Sequence, residues 1–269
     1  MSDTARRSRP LGIAVPVIAC VLVYLVGVLV VPLLALCATV LSNLPEVVGQ
    51  LTTPEALHAM GLSLVLAAIA LGINLVAGIA GAIVLVRQQF YGRSLLDALV
   101  EMPLALSPVM VGLGFFLLFG RTGWARPVID ALGLKVTFAF PGLVLATTFV
   151  TLPFIVREVG LILKVQGTSE EQAAATLGAS PWQTFWLVTI PNIRQGLELG
   201  ATLTVARALG EFGAVLVLGG AISGETQTAT TFIHASMEER QEPAAYGMAM
   251  LLAAAAAGLL AFLQSRRRR

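Results

Sequence analysis

Arg207 and Glu211 stand four residues apart inside an apolar run, Leu197–Leu218, that is long enough to cross a bilayer. On a helix the two side chains lie one turn apart on one face, and Gly200 and Thr204 continue that stripe. A charge at mid-bilayer costs roughly 2.5–3.5 kcal/mol on the insertion scale, so both residues need a reason to be there. Two reasons fit the spacing. The pair neutralises itself as a structural ion pair, or the stripe lines the route or gate of an anion, with Arg207 attracting it and Glu211 keeping it loosely held. Glu198 falls about 180° from Arg207, near the start of the run, where it reaches water or a loop. Met102-Pro103-Leu104, Ser107-Pro108 and Leu152-Pro153 are expected to break the third and fourth apolar runs, with a cavity near Ser107 and Thr151. Asp97 and Glu101 are also one turn apart, but they are expected to face water or Arg93 rather than to act as an acid–base pair.

Other chemistry is missing. Cys20 and Cys37 both lie in the first apolar run and behave there as small hydrophobes. His58 and His234 are isolated and read as loop or interface histidines. The sequence contains no G-x-x-x-x-G-K-S/T phosphate loop, no H-E-x-x-H and no cysteine-based metal pattern. No catalytic residue, metal or cofactor is therefore expected, and a pump built on this chain draws its energy from another subunit.

The elements that position these residues are apolar helices. The chain is 57% hydrophobic and 12% charged, against about 25% charged in a soluble domain, which predicts an all-α integral membrane protein in contact with lipid. Six runs are long enough to span: Leu11–Leu41, Leu57–Val86, Leu95–Phe119, Val136–Val156, Leu197–Leu218 and Ala244–Leu263. The first exceeds the 7–15 residues of a signal-peptide core and reads as an uncleaved anchor. With the N-terminus in the cytoplasm, twelve Lys and Arg fall on the inside (Arg6, Arg7, Arg9, Arg87, Arg93, Arg157, Lys164, Arg194 and Arg266 to Arg269) and four outside (Arg121, Arg126, Lys135 and Arg240). That bias predicts both termini inside. The terminal arginines read as a stop signal at the anionic leaflet rather than a nucleic-acid patch. The chain divides into residues 1–54 (basic tail, first helix, outer loop), a helical domain over 55–265, and the tail 266–269.

Between the fourth and fifth runs lies the longest inner loop, with the stretch EEQAAATLGASPWQTFWLVTIP at 170–191. Glu170–Leu177 is rich in helix formers, with Thr168 or Ser169 as its cap. Gly178 suits a left-handed end, and Ser180 and Pro181 suit the start of a second helix. Trp182, Phe185 and Trp186 share a face, and Pro191 is expected to stop or bend that helix before the fifth span. A helix–turn–helix with a tip of small residues allows close approach by another surface, or packs back on its own bundle. Gly196-x-x-x-Gly200 and Gly210-x-x-Gly213 permit close helix contact, or flexure.

The spacing Gln172-Ala173-Ala174, Gly178, Val188-Thr189-Ile190-Pro191 resembles the EAA motif of permease subunits in bacterial ABC importers of the type I fold. Gln172 stands where that family has glutamate, with Glu171 just before it. The stretches LVEMPLALSPVMVGLGFFLLFG (99–120), FPGLVLATTFVTLPFIVRE (140–158) and ARALGEFGAVLVLGG (206–220) are similar to permeases of sulfate and thiosulfate importers, closest to the W-type of two paired subunits. Molybdate and tungstate permeases are related. The resemblance implies six transmembrane helices and a cytoplasmic coupling helix in the loop 168–192. Glu171, Gln172, Ala173, Ala174, Gly178, Ala179, Ser180 and Pro191 would then couple to an ABC ATPase dimer. It implies a bacterial inner-membrane location, a second permease subunit forming a heterodimer, and an anion-binding protein meeting the loops 120–135 and 221–243. Ser107, Thr204, Arg207 and Glu211 become candidates for the translocation path or gate. The competing class, an ion-coupled secondary transporter, predicts inverted repeats, and none is evident.

Overall fold

A computed structural model describes residues 11–267, so Arg6, Arg7, Arg9, Arg268 and Arg269 lie outside the described residues. All regular elements among the described residues are helical. The helices α1 (Leu11–Leu25) and α2 (Val31–Ser42) join through a π-turn at Val26–Val30, where the Val31 N–H bonds the Val26 carbonyl. Pro32 follows directly. Proline has no N–H and its ring collides with the carbonyl four residues back; the wider turn moves that carbonyl aside and lets the helix continue. α1 and α2 keep their Val and Leu side chains mostly outward, and α2 packs against α14.

Helix α3 (Leu44–Leu51) leads to α4 (Pro54–Arg87), where Thr53 accepts from the Ala56 N–H and Pro54 fills the first turn. At 1.5 Å per residue α4 is about 51 Å long, well beyond a hydrocarbon core of about 30 Å. Helices α5 (Arg93–Ala105) and α6 (Pro108–Phe119) meet at 114°. The third apolar run is thus not a straight span. Proline disfavours helical backbone in the residue before it, and Leu106 (ψ 144°) and Ser107 (ψ 136°) are both extended. A short α7 (Arg126–Ala131) precedes α8 (Phe140–Gln166). Pro153 does not break α8, contrary to expectation. The helix is held on both sides of the ring: Asn74 of α4 donates to the Thr148 carbonyl (3.2 Å), and Ile155 is gripped by glycines of α4 and α11.

Helices α9 (Ser169–Thr176) and α10 (Pro181–Thr184) form the loop. A second π-turn, Phe185–Thr189, joins α10 to α11 (Ile190–Leu209), the Ile190 N–H bonding the Phe185 carbonyl just before Pro191. The offset from turn to proline equals that before Pro32. Pro191 therefore does not stop the helix, because the π-turn absorbs it, and Pro181–Leu209 runs on as one continuous helix. The chain turns by 54° at Gly210–Phe212 into α12 (Gly213–Gly219). Helices α13 (Ala229–Glu238) and α14 (Glu242–Arg267) complete the chain. Among the described residues four helices are long and apolar enough to cross a membrane, and the two bent pairs raise the total to six if each is one span.

The centre is α4, α8 and α11. Ala82, Leu85, Ile155, Val159, Leu163 and Ile193 are buried together there. A Cβ on Gly78 would lie 2.6 Å from the Ile155 side chain, one on Gly200 3.1 Å from the Ile155 Cα, and one on Gly196 2.7 Å from the Glu158 carbonyl oxygen. The three backbones therefore approach to a distance that a side chain would forbid, the packing that substitutes for a hydrophobic drive inside lipid.

Candidate functional site

The loop between α8 and α11 is built by local chemistry. Gly178 has φ 87°, the left-handed value that only glycine adopts without strain. The Ala179 N–H bonds the Ala174 carbonyl (3.1 Å) and the Gly178 N–H bonds the Ala175 carbonyl (3.0 Å), closing α9 in a Schellman motif. Ser180 then opens α10 through a capping box with Gln183: the Gln183 N–H donates to Ser180 Oγ (3.3 Å) and the Ser180 N–H to Gln183 Oε1 (2.8 Å). Thr168 does not cap α9 with its side chain; its hydroxyl instead accepts from Gln172 Nε2 (3.1 Å). The result is a knob tipped by Gly178, Ala179 and Ser180. Leu177 (88% exposed), Trp182 (68%) and Leu187 (73%) stand out from it, and Trp182, Phe185 and Trp186 pack on one another. Gln172 and Ala173 are exposed and Ala174 is half-buried.

The knob is tethered at its base. Glu171 Oε1 lies 3.3 Å from Arg87 Nη2 at the end of α4 and accepts from the Thr189 hydroxyl at 3.0 Å. Asn192 Nδ2 donates to Glu170, and Gln166 Nε2 donates to the Asn192 carbonyl (3.0 Å). Sequence reasoning missed Arg87, Thr189 and Asn192, having read Arg87 only as a topological charge. The available signal was two glutamates opening α9 with a lone arginine closing α4.

The charged stripe is also present, with one change. The helix ends at Leu209, so Glu211 sits in the break rather than on the helix, yet Arg207 Nη2 still reaches Glu211 Oε2 at 2.7 Å. Glu211 is buried (1% exposed) while Arg207 is 31% exposed. The other carboxylate oxygen accepts from the Ala214 N–H at 3.0 Å, at the positive end of α12. Thr230 of α13 donates to the Glu211 carbonyl (2.6 Å). Ser107 comes to the same region, because the two corners touch: a Cβ on Gly213 would lie 3.0 Å from the Val109 N and 3.3 Å from Pro108. Thr204 is fully buried. Ser107 is exposed at its corner, and Thr151 is buried, donating to the Thr147 carbonyl (2.7 Å) and accepting from Asn74 (2.8 Å). Glu198 pairs with Arg194 (2.9 Å), and Glu101 with Arg157 (3.8 Å) rather than Arg93. Asp97, Glu101, Arg93, Arg157 and Lys164 line a groove of about 570 Å³ beside α5 and α8. No cluster of metal-ligating side chains occurs among the described residues.

Apolar helices broken at two corners, an ion pair with a buried carboxylate at one of them, and a knob continuous with a central helix are an arrangement suited to membrane transport. A family model described as "Binding-protein-dependent transport system inner membrane component" matches residues 74–268, and the chain belongs to that family. It is 49% identical over 207 residues to "Sulfate permease 2, chloroplastic" of Chlamydomonas reinhardtii, covering 77% of this chain and 56% of that protein. It is 43% identical to "Sulfate transport system permease protein CysW" of Synechococcus elongatus, covering 79% of this chain and 73% of that one. Among solved structures, a chain of a bacterial alginate ABC transporter in complex with a periplasmic protein bound to alginate pentasaccharide superposes with a TM-score of 0.78 over 95% of this chain and 94% of its own, at 17% identity. That likeness extends to the fold.

Proposed function

We propose that this chain is a permease subunit of an ATP-driven importer that carries sulfate or thiosulfate across the bacterial inner membrane. A separate ATPase drives it through the loop 168–192, and both termini lie in the cytoplasm. One observation carries the coupling: a small-residue tip, Gly178–Ala179–Ser180, with Gly178 and Ser180 exposed, at the start of a helix that continues into the central α11. Docking of the knob into an ATPase dimer would move α11 directly, and α11 carries Arg207 toward Glu211 at the α11–α12 corner. The likeness to two sulfate permeases supports the cargo. A second permease subunit completes the pathway, and an anion-binding protein meets the loops 120–135 and 221–243.

The test is labelled sulfate uptake in a strain lacking this chain. The full chain should restore uptake, and a chain without 169–180 should not, although it reaches the membrane. An ATPase should copurify with the full chain. Uptake restored for molybdate and not for sulfate would overturn the cargo, and full uptake without the knob would overturn the coupling.

A further inference from the structure

We propose that Arg87, Glu171 and Thr189 form the joint that passes motion of the knob to α4 and α8 as well as to α11, Glu171 serving as an inward positioning residue rather than a contact for the motor. This rests on the coupling reading above.

The joint follows from three bonds and one absence of burial. No residue of α9 is buried, so the knob is not held to the bundle by packing. The Glu171 carboxylate faces the bundle: one oxygen takes both Arg87 Nη2 (3.3 Å) and the Thr189 hydroxyl (3.0 Å). Arg87 is the last residue of α4, and its other terminal nitrogen, Nη1, donates to the Leu163 carbonyl of α8 (3.4 Å). The guanidinium thus spans the carboxyl ends of two parallel helices, where a positive charge is favoured. Thr189 closes the π-turn between the knob and α11. A single carboxylate oxygen therefore ties α9, the end of α4 and the start of α11, and through Arg87 also α8. The side chains of Arg87 and Glu171 are only 15% and 25% exposed, so the pair is shielded from the screening that weakens surface ion pairs. Without the joint, a push on the tip reaches α11 through chain continuity and the Asn192–Glu170 bond, and neither of these touches α4. With it, all three helices of the core move together.

The experiment uses the whole complex in proteoliposomes, comparing the unaltered chain with Glu171→Gln, Arg87→Gln and the two combined. Thr189→Val, which keeps the ion pair, is the milder second variant. Three quantities are read: sulfate imported per ATP hydrolysed, membrane abundance, and disulfide capture of the ATPase by a cysteine at Ala179. The joint predicts that each single variant lowers sulfate per ATP about tenfold, the order of an ordinary coupling free energy. The combined variant should be no worse than the weaker single, because the two residues act through each other. Thr189→Val should lower the ratio in the same direction, and capture at Ala179 should persist in every variant. Loss of capture in Glu171→Gln would overturn the proposal by making Glu171 a motor contact, and so would single effects that multiply or a ratio left unchanged. Absence of capture in the unaltered chain would instead overturn the docking reading itself, and the joint with it.

Discussion

At the scale of single residues, Glu211 carries two separable tasks. One oxygen neutralises Arg207 and the other caps α12 through the Ala214 N–H. Glu211→Gln keeps an acceptor for the N–H and removes the charge. It should leave membrane abundance near normal and lower sulfate uptake at least about tenfold, if the charge is part of the gate. Glu211→Ala removes both, and losing the cap alone costs about 1 kcal/mol, so it should also lower the melting temperature in detergent. Equal uptake in all three proteins would remove the pair from the mechanism. The pair was legible from spacing because a four-residue separation brings side chains together on any helix. That the helix ends between the two, and that Glu211 serves a second helix, was not legible, because α12 owes its angle to contacts with α6 far away in sequence. Gly112 shows this: a Cβ there would lie 2.8 Å from the Ala214 carbonyl oxygen.

At the scale of elements, three prolines of similar sequence context behave differently. Pro108 sits at a 114° corner, Pro153 lies in an unbroken helix, and Pro191 follows a π-turn that lets the helix pass. Local sequence predicts a missing N–H and a steric clash in all three. What decides the outcome is which neighbours hold the backbone, and those are tertiary. The knob was legible almost residue by residue because glycine, serine and proline act locally: Gly178 ends α9 and Ser180 opens α10, as expected, and Gln183 completes a capping box that was not foreseen. The π-turn yields a prediction. Pro191→Ala restores an N–H and removes the clash, so the turn can relax to ordinary helix. One residue fewer per turn rotates the knob by about 100° relative to α11. Stability should hold or rise, while capture of the ATPase at Ala179 and sulfate uptake should both fall. Unchanged capture would mean that the π-turn sets no register. A second contrast concerns glycines. Gly196→Ala places a methyl 2.7 Å from the Glu158 carbonyl oxygen and should destabilise by about 1–3 kcal/mol. At Gly210 the nearest atom to an added methyl is 3.6 Å away, so Gly210→Ala should change the melting midpoint little.

At the scale of the whole molecule, the helices α4 and α8 run parallel, and their ends at Arg87 and Gln166 gather with the knob at one end of the bundle. The loops around Trp124 and Ser223, both exposed, belong to the spans' opposite ends when each bent pair is one crossing. In the orientation proposed above, the one that the distribution of Lys and Arg favours, the knob's end lies in the cytoplasm, and an ATPase could reach it only there. Orientation is thus a condition on which the coupling depends, and it can be tested without assaying transport. In a chain with Cys20 and Cys37 changed to serine, a cysteine at Ser223 should react with an impermeant thiol reagent added to spheroplasts. A cysteine at Ala179 should react only after the membrane is opened. Both tips are hydrogen-bonded loops at the surface rather than buried backbone, so a thiol at either is accessible once its compartment is. The reverse labelling pattern would place Gly178–Ser180 outside, where no ATP-driven motor could seat it, and labelling of both sites from one side would require an even number of crossings between them. Labelling of Ser223 alone is the outcome expected when α11 and α12 together make one full crossing, with the Arg207–Glu211 pair at its corner and the knob inside.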